Sequence, residues 1–213
     1  MSELHLEESR LNEDEGSYNE RVANVDRDHR LIMDKRLVKP SEGQDSIEFC
    51  DIYTTNKELV HVKRYSGSAT LSHLFNQGLV SGELLIQQDF RSRINAKLEE
   101  IGRDTEHREL NAWEVEQNDR DFHRGDYKVI YAIITESEGE RPSIPFFSKV
   151  AFRHVCRRLQ DYGYNVYLMK IGVNQEDDAK PELTTKRNER KLKAKEKREA
   201  AAVADAAVVE DAE

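Results

Sequence analysis

Forty consecutive residues, Ser46–Leu85, restrict the fold of this chain more than any other part. The segment SIEFCDIYTTNKELVHVKRYSGSATLSHLFNQGLVSGELL reads as two short strands joined by a polar turn, then a break marked by Gly and Ser, then an amphipathic helix. The first strand, Ile47–Tyr53, alternates Ile47 and Phe49 with Cys50 and Ile52 on the other face, the pattern of a strand buried on both sides. Thr54-Thr55-Asn56-Lys57 is the hairpin connection and Glu58–Arg64 the returning strand. Ser68 or Thr70 suits the N-cap of the helix. Leu71, Leu74, Phe75 and Leu79 then recur at helical spacing, and Gly78 and Gly82 interrupt the run, which allows two short helices instead of one.

The remaining elements fall around this hairpin. A helix is expected over Glu13–Asn24, with Tyr18 and Val22 on one side and Glu20 beside them. His29–Val38 reads as a strand with a turn near Asp34-Lys35. Phe90–Arg103 is a polar helix, and Asp104–Arg124 a charged surface excursion. Tyr127–Thr135 (YKVIYAIIT) is the clearest strand, almost continuously apolar and β-branched. Phe146–Tyr162 is a helix whose apolar side is expected to carry Phe147, Val150, Val155 and Leu159, ended by Gly163. Tyr164–Ile171 is the final strand. A three-strand antiparallel meander joined through a helix to a further strand predicts an α/β (α+β) domain, a central mixed sheet flanked by helices.

Polarity collects at the ends. Mean hydropathy is −0.82 and the formal net charge −9. Residues 1–20 hold seven acids against one base, Arg10, and residues 186–198 hold eight bases against two acids. The expected organisation is a loose acidic N-terminus over 1–12, one domain over 13–172, and a disordered charged tail over 173–213. No window approaches the run of apolar residues that spans a bilayer, and the acidic start is unlike the basic start of a signal peptide. A cytoplasmic protein without membrane contact is therefore expected, with Cys50 and Cys156 as small core residues. The net charge argues against a globally basic nucleic-acid binder but allows a local basic site. The chain has no G-x-x-x-x-G-K-[ST] loop, no G-x-G-x-x-G and no G-x-S-x-G elbow.

The chemistry-bearing residues sit on the hairpin. Residues two apart on a strand share a face, so His61 and Lys63 project together, and Asp51 on the partner strand faces them if the hairpin is tight. Glu20 approaches from the preceding helix, and Asp34 or Glu48 is available beside Asp51. Carboxylates of this kind hold a divalent cation, here Mg2+ or Mn2+, and a lysine steadies the attacking water or the developing charge. The expected catalytic group is Asp51, His61 and Lys63, with Asp51, Glu20 and Asp34 as metal ligands. Arg64, Ser66, Ser68, Ser72 and His73, at a helix start beside two bases, form an expected phosphate-binding cluster. Gln77 lies one turn further on. Each residue also has a plain structural role: Asp51 can cap a turn or pair with Lys63, and His61 can be a satisfied sheet residue.

This set resembles the core of the PD-(D/E)xK nuclease superfamily, in which a helix supplies a Glu, the second strand an Asp, the third strand (Glu/Asp)-x-Lys, and a helix follows. The resemblance implies a restriction-endonuclease-like fold and metal-dependent phosphodiester cleavage. The chain departs from it at one position, where His61 replaces the acid; imidazole prefers softer metals than Mg2+ and brings no negative charge. The segments LIMDKRLV (31–38), IEFCDIYT (47–54), HVKRYSGSATLSHLFNQGLVSGELL (61–85), YKVIYAII (127–134) and PFFSKV (145–150) are also similar to the carboxy-terminal half of a sporadically distributed, uncharacterised family of bacterial proteins. That resemblance covers roughly residues 15–172 and makes the histidine part of a family pattern. It implies a mobile-element or phage-defence setting. It also implies a protein partner that supplies the amino-terminal half found in longer members.

Two functions follow from these readings. One is a metal-dependent nuclease acting on DNA or RNA. The other is a non-catalytic module that binds nucleic acid or protein through the Lys63–His73 surface. They separate on geometry: convergence of Asp51, His61 and Lys63 with Glu20 or Asp34 in an open cleft favours the enzyme.

Overall fold

The computed structural model describes residues 4–43, 45–104 and 113–178. Among the described residues, those within 4–9 and 14–173 belong to the main unit, and 10–13 with 174–178 to a second, smaller unit. The basic run at 186–198 and the end of the chain lie outside the described residues. Within the smaller unit Arg10 pairs with Asp177 at 3.0 Å.

The main unit is an α/β fold built on a five-stranded mixed sheet. Its elements are α1 (Glu15–Val25), β1 (Arg30–Ile32), β2 (Leu37–Val38), β3 (Ile47–Glu48), β4 (Ile52–Thr54), β5 (Glu58–Arg64), α2 (Ser68–Leu85), α3 (Gln88–Asp104), β6 (Lys128–Ile134), α4 (Phe146–Asp161) and β7 (Asn165–Ile171). The sheet order is β1-β4-β5-β6-β7. The first three strands form the antiparallel meander, and β6 and β7 add parallel to β5. Parallel addition requires crossovers; α2 and α3 supply one and α4 the other.

Strand alternation sorts side chains onto two layers. Leu59, Val129, Tyr131 and Ile133 pack under Leu71, Leu74 and Phe75 of α2 and Val155 and Leu159 of α4. Val60, Val62, Ile130, Ala132 and Ile134 pack on the other face against Tyr18 and Val22 of α1 and Leu6. The apolar run of β6 is thus covered on both sides, as its composition demands.

Several expectations are corrected. Residues 4–9 are held in place: Leu6 is buried, the Tyr18 hydroxyl donates to the Glu7 carbonyl at 2.8 Å, and Arg30 donates to the Glu7 carboxylate at 2.7 Å. Ile47–Tyr53 is two strands broken at Phe49–Asp51, and α2 is one continuous helix. The glycines of α2 serve packing instead of interruption. A Cβ at Gly78 would lie 2.5 Å from the Tyr131 ring, and one at Gly82 would lie 2.5 Å from a Leu159 methyl. The Tyr131 hydroxyl donates to the Phe75 carbonyl at 2.9 Å, which fixes the ring against the bare helix surface.

The excursion after α3 is anchored in the core by Trp113, Val115 and Phe122, all buried. Arg91, fully buried, is its clamp. Its guanidinium donates to the carbonyls of Leu85 (3.0 Å) and Ile86 (2.7 Å) at the end of α2 and of Glu116 (2.8 Å) and Gln117 (2.9 Å), and pairs with Asp119. Five donors on one planar group satisfy carbonyls that would otherwise be buried alone.

α4 turns a different face inward from the one expected. Ser148, Val155 and Leu159 are buried, and Ala151 and Phe152 pack against the core. Phe146 (72% exposed), Phe147 (77%) and Val150 (52%) face solvent. On a 3.6-residue period Ser148, Val155 and Leu159 share one side and Phe146 and Val150 the opposite one, so the inward face is set by position, not by the count of apolar side chains.

Candidate functional site

The break at Phe49–Asp51 is built from hydrogen bonds to Asp51. Extending the β4–β5 register by one residue sets Asp51 opposite His61. The Asp51 N–H donates to the Val60 carbonyl at 2.9 Å, and its carboxylate Oδ2 accepts the Val62 N–H at 2.7 Å. The Asp51 carbonyl accepts two further bonds, from the N–H groups of Met33 (2.8 Å) and Asp34 (3.0 Å). One residue therefore ties the turn after β1 to the middle of the sheet. Asp34 is carried beside it, and Lys35, at φ 60°, tightens the turn and donates its N–H to Glu48 Oε1 at 3.0 Å.

The result is a group of three half-buried carboxylates, Asp34, Glu48 and Asp51, each offering an oxygen within 4.8 Å of the others. A fourth acid, Glu15, stands at the start of α1, whose first turn is capped by Asp14 accepting the Ser17 N–H at 3.1 Å. Gly16 lets this turn approach: a Cβ there would lie 3.3 Å from Asp34 Oδ2. Glu15 accepts from Lys63 Nζ at 2.7 Å. Burial, and behind it the negative charges of Asp34, Glu48 and Glu15, push the Asp51 carboxyl from 3.8 up to about 7 against the opposing pull of the Val62 N–H. Like charges crowded in this way gain most from a cation, and an all-oxygen donor set suits Mg2+ or Mn2+ over softer ions.

A groove of about 280 Å³ adjoins the carboxylates, lined by Ile47, Glu48, His73, Asn76, Gln77 and Val80. Glu48 belongs to both. The second and third turns of α2 thus share this groove with Glu48 through His73, Asn76 and Gln77.

The sequence-predicted residues are divided by this geometry. Asp51 and Asp34 converge, with Glu48 added, and Lys63 is paired with Glu15. Glu20 does not join them; it is exposed on α1, and Glu15 stands near the cluster in its stead. Glu15 was missed because it precedes the apolar stripe of α1; the capping residue Asp14 and the adjacent Gly16 are the local signals that mark it. His61 is 2% exposed, stacked on Tyr131 with ring centroids 6.0 Å apart, and its Nε2 has no hydrogen-bond partner among the described residues. Burial pushes its pKa from 6.5 down to about 4, so it is neutral and part of the core under α2. The phosphate cluster is also split. Arg64 points away from Lys63 and donates to Ser9 Oγ at 2.6 Å. Ser66 is exposed at 3.3 Å from Thr70 Oγ1, Ser68 shares a hydrogen bond with Ser148 at 2.8 Å, and Ser72 bonds back to the Ser68 carbonyl at 3.1 Å.

No helix among the described residues is long and apolar enough to cross a membrane. No curated protein and no solved structure matches the chain. Residues 1–172 match the Family of unknown function (DUF6119), and the chain belongs to that family.

Proposed function

For this member of a family without an assigned activity, we propose metal-dependent cleavage of phosphodiester bonds in nucleic acid. The observation that carries the reading is the carboxylate group Asp34, Glu48 and Asp51 at the ends of β1 and β4, with the Glu15–Lys63 pair beside it. The reading takes the order of helix, three-strand meander, helix and parallel strand as that of the PD-(D/E)xK core, with Glu15 on the leading helix, Asp51 in the bend before β4 and Lys63 on β5. Asp34 and Glu48 make up for the acid that His61 replaces.

Asp34, Glu48 and Asp51 would hold Mg2+ or Mn2+, which when bound supplies charge stabilisation to phosphate oxygens and acidifies water. Asp51 is positioned by its backbone and side-chain bonds, so its carboxylate needs no reorganisation to act as a ligand. Glu15 orients Lys63, whose ammonium is the local cation for a phosphate oxygen or the attacking water. The groove under His73, Asn76 and Gln77 is the place for the substrate backbone, with amide and imidazole groups to hydrogen-bond phosphate.

The test is incubation of the purified chain with linear duplex DNA, single-stranded DNA and RNA, in Mg2+ or Mn2+ and in EDTA. Cleavage that requires the metal and is lost in Asp51→Asn and Lys63→Ala supports the reading. Cleavage unchanged in both variants, or absent on all three substrates, refutes it. Absent cleavage together with salt-sensitive binding supports the second reading, a binding module, which the burial of His61 favours.

A further inference from the structure

We propose that the solvent face of α4 is a binding surface for single-stranded nucleic acid. The proposal deepens the reading above by naming the form of its substrate.

α4 carries Lys149, Arg153 and Arg157 at successive i, i+4 positions, all exposed and without an ion-pair partner among the described residues. Arg158, next in the helix, is taken up by Glu83 at 2.6 Å. The helix has no acid before Asp161. In a chain with a net charge of −9 a face of this sign is out of keeping with the rest of the composition. Each i, i+4 step is about 6 Å along the axis, on the order of the step between neighbouring phosphates of an extended strand.

Beside this stripe stand the three apolar side chains that α4 leaves in water, Phe146, Phe147 and Val150. On the helical period Phe146 and Val150 lie between the basic stripe and Phe147. The two rings meet edge to face, with centroids 5.6 Å apart. Two exposed phenylalanines cost solubility unless something covers them. Rings interleaved with bases suit unstacked nucleobases joined by phosphates: aromatic faces take the bases and cations take the backbone. Duplex DNA keeps its base faces stacked and offers only phosphates, so the aromatic half of the surface selects single strands.

The surface also stands at the right end of the fold. The first turn of α4 is joined to the first turn of α2 by the Ser68–Ser148 hydrogen bond of 2.8 Å. α2 begins where β5 ends, just past Lys63. The first turn of α4 therefore lies at the same end of the sheet as Lys63.

The test is fluorescence anisotropy of a labelled oligothymidine and of a labelled duplex, both in EDTA, so that binding is read without cleavage. The expected result is tighter binding of the single strand. Phe146→Ala with Phe147→Ala should weaken it by at least about fivefold, the loss of one stacked base, while leaving duplex affinity unchanged. Lys149→Ala, Arg153→Ala and Arg157→Ala together should weaken both ligands and lower the salt dependence for the single strand by about 2 in log–log slope. These positions are exposed, and thermal unfolding of each variant confirms retention of the fold. Unchanged single-strand affinity in both variants overturns the proposal, as does sedimentation with anionic vesicles in place of oligothymidine binding. Metal-dependent cleavage that depends on Asp51 while α4 variants bind normally refutes this proposal alone. Binding that depends on α4 without any cleavage refutes the proposed activity alone.

Discussion

Replacing Asp51 by Asn removes one charge from the carboxylate group and keeps an oxygen to accept the Val62 N–H. Folding raises this carboxyl from 3.8 to about 7, so its ionisation opposes folding. The penalty is absent below about pH 4, grows as the unfolded chain releases a proton that the folded chain keeps, and is complete above about pH 7. At about 1.36 kcal/mol per unit it reaches at most about 4 kcal/mol. Solvent reaches the half-buried group, so the expected gain in Asp51→Asn near pH 8 in EDTA is about 2 kcal/mol, or roughly 4–8 °C in Tm. His61 works with the opposite sign. Its pKa falls from 6.5 to about 4 on burial, so it contributes stability above about pH 6.5 that is lost as the pH falls toward about 4. The two slopes oppose each other across that window, and the parent chain should show a nearly flat pH dependence there. The Asn variant should show the histidine slope unmasked, with stability rising with pH. If the carboxylates bind Mg2+ as proposed, millimolar Mg2+ should raise the Tm of the parent near pH 8 and leave that of the Asn variant unchanged. Thermal unfolding by circular dichroism, across pH and with Mg2+ or EDTA, reads all three quantities. An Asn variant less stable than the parent near pH 8 in EDTA, or one that still responds to Mg2+, refutes the reasoning.

Three further outcomes are expected. His61→Phe keeps the stack on Tyr131 and removes an unpartnered nitrogen; it should retain any cleavage activity and lose the fall in stability between about pH 6.5 and 4, as read by acid titration. Gly78→Ala should cost roughly 1–3 kcal/mol in urea denaturation, because the Tyr131 ring is held by its bond to Phe75, whereas Gly82→Ala should cost less, because the opposing Leu159 methyl can rotate aside. Arg91→Met should cost on the order of 3–5 kcal/mol, and Arg91→Lys should not rescue it, since an ammonium cannot reach the carbonyls on both sides of the clamp.

The order of the elements was legible in the sequence because composition decides it. The apolar run of β6 and the hairpin before α2 have few alternatives, and the mixed sheet follows from them. What stayed hidden depended on neighbours distant in the chain. Gly78 and Gly82 look like interruptions until Tyr131 and Leu159 are seen against them. Phe146, Phe147 and Val150 have the hydropathy of core residues, but the helix phase set by Ser148, Val155 and Leu159 turns them to water. At the candidate site, Asp51 and Asp34 lie together as the hairpin and the turn predict, and Lys63 is paired with Glu15. Glu15 was not identifiable from the sequence, because it reaches the acids only through the close approach that Gly16 permits. Strand alternation puts His61 on the same face as Lys63. Its backbone position is as expected, but the inner end of β5 lies under α2 while its outer end meets the site.

The Arg91 clamp has a practical corollary for protein engineering. One guanidinium staples the end of α2 to Glu116, Gln117 and Asp119, so the α2–α3 junction and the chain that returns toward β6 are held as one piece. A reporter domain inserted between Glu116 and Asp119 should therefore unseat the end of α2, whereas an insertion at the exposed Gly139 turn should not.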